Sequence, residues 1–333
     1  MPVLPCIAAA LTAVALMLLP TTADAQQDQP IPAIKAPLAN QSLLLAGDRI
    51  GDRVVAVGAR GHVLVSDDSG QSWTQLDAPV STTLTAIDCD NASQSCLIGG
   101  HDGIVLNLDL SGEPRVTLRR FQPGGAEDLM KPVLAVSRMS DADIAFGAFG
   151  LALTGDATGS AEYDQQDQLP ERIIEEEPHI GALTRIDDGV LIAGEFGAVF
   201  RKSDMAADWE DLSIEYEGSM FGALHLTNGS ALIFGLQGKI FRLEDATTGE
   251  EWVEVFSDTT NGLMGGTVMT RGAVVLVGAN GAVTTSTDYG RSFRFSRRKD
   301  RQTLSDVVEA PDGNLILLGE FGATRVSVEE VGQ

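Results

Sequence analysis

Cations, cysteines, histidines and aromatic residues are all scarce in this sequence. Lys and Arg total 23 against 47 Asp and Glu, a net charge of −24 over 333 residues. Such a chain repels phosphate backbones and anionic headgroups, which excludes nucleic acid as a natural partner. The four histidines (His62, His101, His179, His225) fall in four different repeats or linkers without metal-ligand spacing, so no metal is expected. There is no phosphate loop and no strand–Gly-x-Ser-x-Gly–helix element, and no cofactor is expected. Aromatic residues make up only 5% of the chain, whereas Gly is frequent at 36 residues and shows no collagen-like period. That composition suits many tight turns between short strands, and the length allows a large core.

Beyond the first residues no segment has the length and hydropathy of a membrane span, so direct membrane insertion is not expected. The run CIAAALTAVALMLLP (Cys6–Pro20), followed by the small-x-small stretch Ala23-Asp24-Ala25, reads as a signal peptide over residues 1–25. The run is short for a spanning helix. The mature protein is therefore expected to be exported, periplasmic or secreted, with cleavage near Ala25. Cleavage leaves two cysteines, Cys89 and Cys96, in CDNASQSC, the end of one strand, a polar turn and the start of another. In an oxidising compartment a disulfide can close that hairpin; two buried thiols are the alternative.

An apolar strand, Gly-x-x-Gly and a second apolar strand recur seven times. The first glycines are Gly58, Gly100, Gly147, Gly194, Gly235, Gly278 and Gly319, spaced 42, 47, 47, 41, 43 and 41 residues apart. A period in the forties with several short strands per unit predicts an all-β, seven-bladed β-propeller. The flanking strands are almost continuously apolar because neighbouring blades cover both faces. An inner strand such as TLTAIDC (Thr83–Cys89) precedes each hairpin, and an outer strand such as WVEVF (Trp252–Phe256) follows it, giving four antiparallel strands per blade. Blade seven runs out of chain after its third strand. Residues 26–41 hold a spare strand, IPAIKAP (Ile31–Pro37), which is expected to complete blade seven and close the ring, leaving 42–333 as the propeller.

A second motif follows some hairpins. SDDSGQSW fits Ser-x-Asp-x-Gly-x-x-Trp through Ser66, Asp68, Gly70 and Trp73. STDYGRSF repeats it with Phe for Trp, through Ser286, Asp288, Gly290 and Phe293. SDMAADW and LEDATTGEEW are degenerate copies, and blades two and three lack it. This pattern resembles the Asp-box, or BNR, repeat of sialidase-like propellers. Its Ser and Asp cap the turn, Gly takes the left-handed position and the aromatic residue anchors the outer strand. Turn capping explains Asp68 and Asp288 better than a metal loop, whose ligand count neither motif has. The combined form of hairpin and motif is similar to the photosystem II stability/assembly factor-like family over nearly the whole mature chain. That resemblance implies an exported seven-bladed propeller, non-catalytic, that binds protein subunits of a membrane or envelope complex. A monomer is expected.

A glycan-active propeller is the alternative. A sialidase-like site needs clustered arginines, a Tyr nucleophile with a Glu partner and an Asp acid/base. Here the Arg-Ile-Pro signature is missing. Of the tyrosines, Tyr289 lies inside a Ser-x-Asp-x-Gly turn, while Tyr163 and Tyr216 lie in acidic, loop-like stretches. No catalytic residue is assigned, although with 47 acidic residues a carboxylate pair across a cleft stays open as a reading. The stronger candidates for partner contact are the hairpin tips, which repeat geometry puts on one face of the disc. Their second central residues are Arg60, Asp102, Phe149, Phe196, Gln237, Asn280 and Phe321, and Glu195 and Glu320 precede two of the phenylalanines. Either the rings fold onto the adjacent blade or they form an aromatic patch for a partner. Two charged stretches complete the set. Gly155–His179 is acidic and breaks the period: a solvated loop holding a poor outer strand for blade three, or a docking loop for a basic partner. RSFRFSRRKDR, with Arg294, Arg297 and Arg298, either meets an acidic partner or pairs internally.

Overall fold

Seven antiparallel sheets account for the seven repeats in a computed structural model that describes residues 31–119, 131–139, 142–156, 164–165 and 169–331. The expected signal peptide, residues 26–30 and Tyr163 lie outside the described residues. Blade one comprises β1 (Leu44–Ile50), β2 (Arg53–Gly58), β3 (Val63–Ser66) and β4 (Thr74–Gln75). Blade two comprises β5 (Leu84–Asp90), β6 (Ser95–Gly100), β7 (Val105–Asp109) and β8 (Arg115–Arg119). Blade three follows as β9 (Val133–Arg138), β10 (Ala142–Gly147), β11 (Ala152–Asp156) and β12 (Asp164–Gln165). A short helix α1 (Glu171–Glu176) leads into blade four, β13 (Ile180–Ile186), β14 (Gly189–Gly194), β15 (Val199–Lys202) and β16 (Glu210–Asp211). Blade five is β17 (Met220–His225), β18 (Ala231–Gly235), β19 (Ile240–Leu243) and β20 (Trp252–Val255). Blade six is β21 (Leu263–Val268), β22 (Val274–Gly278), β23 (Ala282–Ser286) and β24 (Arg294–Arg297). Blade seven has β25 (Leu304–Glu309), β26 (Leu315–Gly319) and β27 (Gly322–Val326), and helix α2 (Val328–Val331) ends the description.

The core lies between blades. Val55 and Val57 face blade two with Leu84 and Ile98, whereas Val54 and Ala56 face blade seven with Ile316 and Leu318. Alternation with period two on a strand covered on both sides produces the uninterrupted apolar runs of the sequence. Seven such apolar layers, one at each blade junction, make the ring. The expected disulfide joins Cys89 to Cys96 (S–S 2.02 Å), which face each other across β5 and β6 inside the layer of blades one and two.

The acidic segment of blade three contains the short outer strand read from the sequence, β12, and also α1, which the sequence reading did not foresee. The expected completion of blade seven by residues 26–41 rests in part on residues 26–30, which lie outside the described residues. Among the described residues blade seven has three strands, and Ile31–Pro37 pairs with none of them. Its polar partners lie on blade one, while Ala36 packs on the apolar layer shared by blades seven and one. Ala33 N–H donates to the Ala78 carbonyl (3.0 Å), and the Gln75 amide accepts from Ala36 N–H (2.8 Å) while donating to the Ile34 carbonyl (3.1 Å). Lys35 pairs with Asp77 at 3.1 Å. A segment with Pro32 and Pro37 lacks the regular donors of a ladder strand, and Gln75 meets its isolated polar groups. The seam between blades seven and one is closed by side-to-side packing and by two side chains. Ser305 Oγ donates to the Leu44 carbonyl (2.7 Å), and Gly47 N–H donates to Asp306 (3.0 Å).

Candidate functional site

All seven hairpin turns sit beside the connectors that lead into the inner strands, so turns and connectors share one face. In each blade the N–H after the first glycine donates to a connector carbonyl, as Glu195 does to His179 (3.1 Å) and Glu320 to Thr303 (3.2 Å). The left-handed conformation is not confined to glycine. Arg60, Asp102, Phe149, Phe196, Gln237 and Asn280 all have φ between 55° and 59°, each followed by a left-handed glycine. Gly197 also fits tightly, since a Cβ there would lie 2.4 Å from the Ile214 carbonyl oxygen. Blade seven is tighter. Its strands pair up to Gly319 and Gly322, and Gly322 alone turns left-handed.

The phenylalanines do not fold away. Phe149 is 51% exposed, Phe196 50% and Phe321 60%. Phe149 touches one neighbour ring edge-on, that of His179, at 4.6 Å between centroids. The glutamates have a local task. Glu195 accepts from His179 N–H and Glu320 from Thr303 N–H, both at 3.1 Å, returning the bond that the turn gives its connector. Asp102 accepts from the Thr82 hydroxyl (2.9 Å). Arg60 and Gln237 are exposed and Asn280 is half-buried. Burial, with Arg60 beside it, holds the His62 imidazole below its usual range.

The basic stretch divides. Arg291 pairs with Glu244 and Arg298 with Asp300, while among the described residues Arg294 and Arg297 have no carboxylate partner on the exposed outer strand of blade six. The Ser-x-Asp-x-Gly turns lie on the opposite face, and both use the same bonding. Ser66 Oγ accepts from Gly70 N–H (2.8 Å) and donates to Asp68 (2.8 Å). Ser286 repeats this with Gly290 (2.9 Å) and Asp288 (2.7 Å). The hydroxyl of Ser72, with other donors of its turn, lowers the Asp68 carboxyl to about 2. Trp73 and Phe293 anchor the following strands against the apolar layers at the seam and between blades five and six.

A central channel, enclosing about 490 Å³, runs between the inner strands. Sequence reasoning missed its three carboxyls, Asp48, Asp88 and Asp306. Each is aimed at the next blade. Asp306 accepts Gly47 N–H (3.0 Å), Asp48 accepts Cys89 N–H (2.7 Å) and Asp88 accepts Arg138 N–H (2.7 Å). Thr184 does the same for His225 N–H at 3.2 Å. Enclosure raises Asp306 to about 7 and, with repulsion from Asp88, raises Asp48 to about 7. Enclosure also raises Asp88, against the pull of Arg185 at 3.2 Å. Only the inter-blade register brings these residues together, and a single strand does not reveal it. Among the described residues no group of three or more His, Cys, Asp or Glu could hold a metal, and no helix is long and apolar enough to cross a membrane.

No protein-family model matches the chain, and no curated protein matches it. Solved structures share its fold. YCF48 bound to a D1 peptide has a TM-score of 0.67 at 16% identity, over 90% of this chain and 98% of that one. The WD40 propeller domain of Doa1 has a TM-score of 0.63 at 14% identity, over 89% and 95%. Streptogramin B lyase has a TM-score of 0.68 at 12% identity, over 88% and 95%. At these identities the likeness is one of fold, and that fold serves a lyase as well as a propeller bound to a peptide.

Proposed function

We propose that this chain is an exported, non-catalytic Asp-box propeller that works without a cofactor. Through its turn face it binds protein subunits of an envelope or membrane complex as an assembly or stability factor. Residues 1–25 direct export and are removed near Ala25, and the mature monomer acts in the periplasm or outside the cell. One observation carries the reading. Phe149 and Phe196 are half-exposed in a left-handed backbone that disfavours them, a placement the turn does not require and partner contact explains. YCF48, a propeller of the same fold, has been captured with a D1 peptide. The test is affinity capture of the tagged mature chain from its native envelope, with F149N/F196N/F321N as comparison and partners quantified by mass spectrometry. A defined set of subunits should disappear from the variant; identical sets would sink the reading.

The channel favours a second reading, glycan chemistry, because a carboxyl raised to about 7 has the poise of a general acid. Against it, both Asp306 oxygens already accept backbone N–H groups, from Gly47 and from Val307 (2.8 Å). Glycoside hydrolysis lost in D48N/D88N would establish this reading over the first.

A further inference from the structure

We infer that the turn face between blades three and four is the docking site for a basic amphipathic segment of a partner protein. The inference rests on the protein-binding reading above and names where the partner lands and what chemistry it presents.

The link from α1 to β13 is a strap fixed to both turns. Gly150 N–H donates to the Pro178 carbonyl (3.3 Å), Glu195 N–H to the His179 carbonyl (3.1 Å), and the Arg172 guanidinium to the Phe196 carbonyl (2.8 Å). Ile173 is buried in the apolar layer between the two blades and anchors the strap from below. The next residue, Ile174, is 62% exposed on α1, and Phe149 and Phe196 are half-exposed on the turns to which the strap is bonded. Three large apolar side chains thus stand in water on two adjoining turns and the strap that joins them.

Carboxylates border this apolar patch. Glu171, Glu175, Glu176 and Glu177 are exposed on the strap, and Glu195 lies at the edge of the turn. The strap's own cation is committed: Arg172 is held by Glu176 at 2.9 Å and by the Phe196 carbonyl. Among the described residues no cation pairs with Glu171, Glu175 or Glu177. The last glutamates also sit badly where they are. Glu175 and Glu176 end α1, where the helix dipole disfavours anions, and Glu177 caps it at φ 44°. An incoming Lys or Arg relieves that placement, while the apolar side chains it carries cover Phe149, Ile174 and Phe196. Such a rim repels an anionic lipid surface and an acidic peptide alike.

The experiment uses the mature chain and two labelled peptides, an amphipathic Leu/Lys helix and its Leu/Glu counterpart, followed by fluorescence anisotropy. The Leu/Lys peptide should bind saturably, with affinity falling as salt rises. F149N/F196N should weaken it about tenfold or more. Asn is chosen because Asn280 already occupies the equivalent left-handed position at φ 57°, so folding should be kept. E171Q/E175Q/E177Q should weaken binding several-fold, whereas E250Q/E251Q/E329Q, which removes as many exposed charges elsewhere, should leave it within about twofold. Four results overturn the inference: no saturable binding, unchanged affinity in F149N/F196N, equal weakening by the control triple, or equal binding of the Leu/Glu peptide. If clients captured from the envelope depend on the phenylalanines yet contact them through acidic segments, this inference falls and the scaffold reading stands. If the peptide behaves as stated while client capture is unchanged in F149N/F196N/F321N, the scaffold reading falls instead.

Discussion

Phe196 sits at φ 57° with its ring half in water, and both facts cost free energy. A bulky side chain in the left-handed region is disfavoured by about 1–2 kcal/mol. Asn bonds its own backbone there and tolerates the conformation, as Asn280 does in blade six. Phe196→Asn should therefore leave the melting temperature unchanged or raise it, with a gain of up to about 1 kcal/mol by urea titration. A fall of several degrees would show that the ring packs onto its blade after all. The tips were legible as turns from their glycines, and their phenylalanines as candidates. The left-handed state of the second central residue was not, because sequence points to glycine for positive φ. Nor was the task of Glu195 and Glu320, since their acceptor oxygens meet N–H groups of connector residues 16 and 17 positions away.

Among elements, the Ser-x-Asp-x-Gly turn shows how far a local pattern determines its own structure. Every bond of Ser286, Asp288 and Gly290 in it spans at most four residues, so a short stretch of sequence carries the whole pattern. Ser286 is buried and its oxygen satisfies Gly290 N–H. Ser286→Ala leaves that donor without a partner and should cost about 1–2 kcal/mol, with an unchanged m-value in urea. No loss of stability would mean that Asp288 or water replaces the hydroxyl. Degenerate copies keep a simpler cap, with Asp204 accepting from Ala206 and Ala207 N–H at 2.8 and 2.9 Å. By contrast, α1 was not legible. Six residues after Pro170 give too little periodicity for a helix signal, and tertiary contact through Ile173 holds the element.

Across the whole molecule the ring seam joins residues about as far apart as the chain allows, such as Gly47 and Asp306. Each sheet lies within one blade, so the seam is held by side-to-side packing and by its polar contacts. Asp306 is enclosed by protein, though channel water reaches part of it, and enclosure raises its pKa from 3.8 to about 7. The unfolded chain releases this proton near 3.8, the folded chain near 7. Between those values the folded state holds more protons. The stabilisation is full below pH 3.8 and is lost as pH rises through about 7. Asp48 acts in the same direction. Asp288 does not interfere in this window: burial pushes it up, but the Ser292 and Ser286 hydroxyls prevail and lower it to about 2, so its contribution fades only below 3.8. His62, held below 6.5, acts in the opposite direction, so the variant must be compared with the parent at each pH. Asp306→Asn keeps one oxygen for Gly47 N–H, loses the acceptor for Val307 N–H and removes the titration. It should be destabilising by about 1 kcal/mol at pH 5 and should gain on the parent up to pH 8, by about 1–3 kcal/mol in all. A difference in stability that is flat across this range would mean that Asp306 is ionised throughout, and that the seam tolerates a full charge because channel water solvates it.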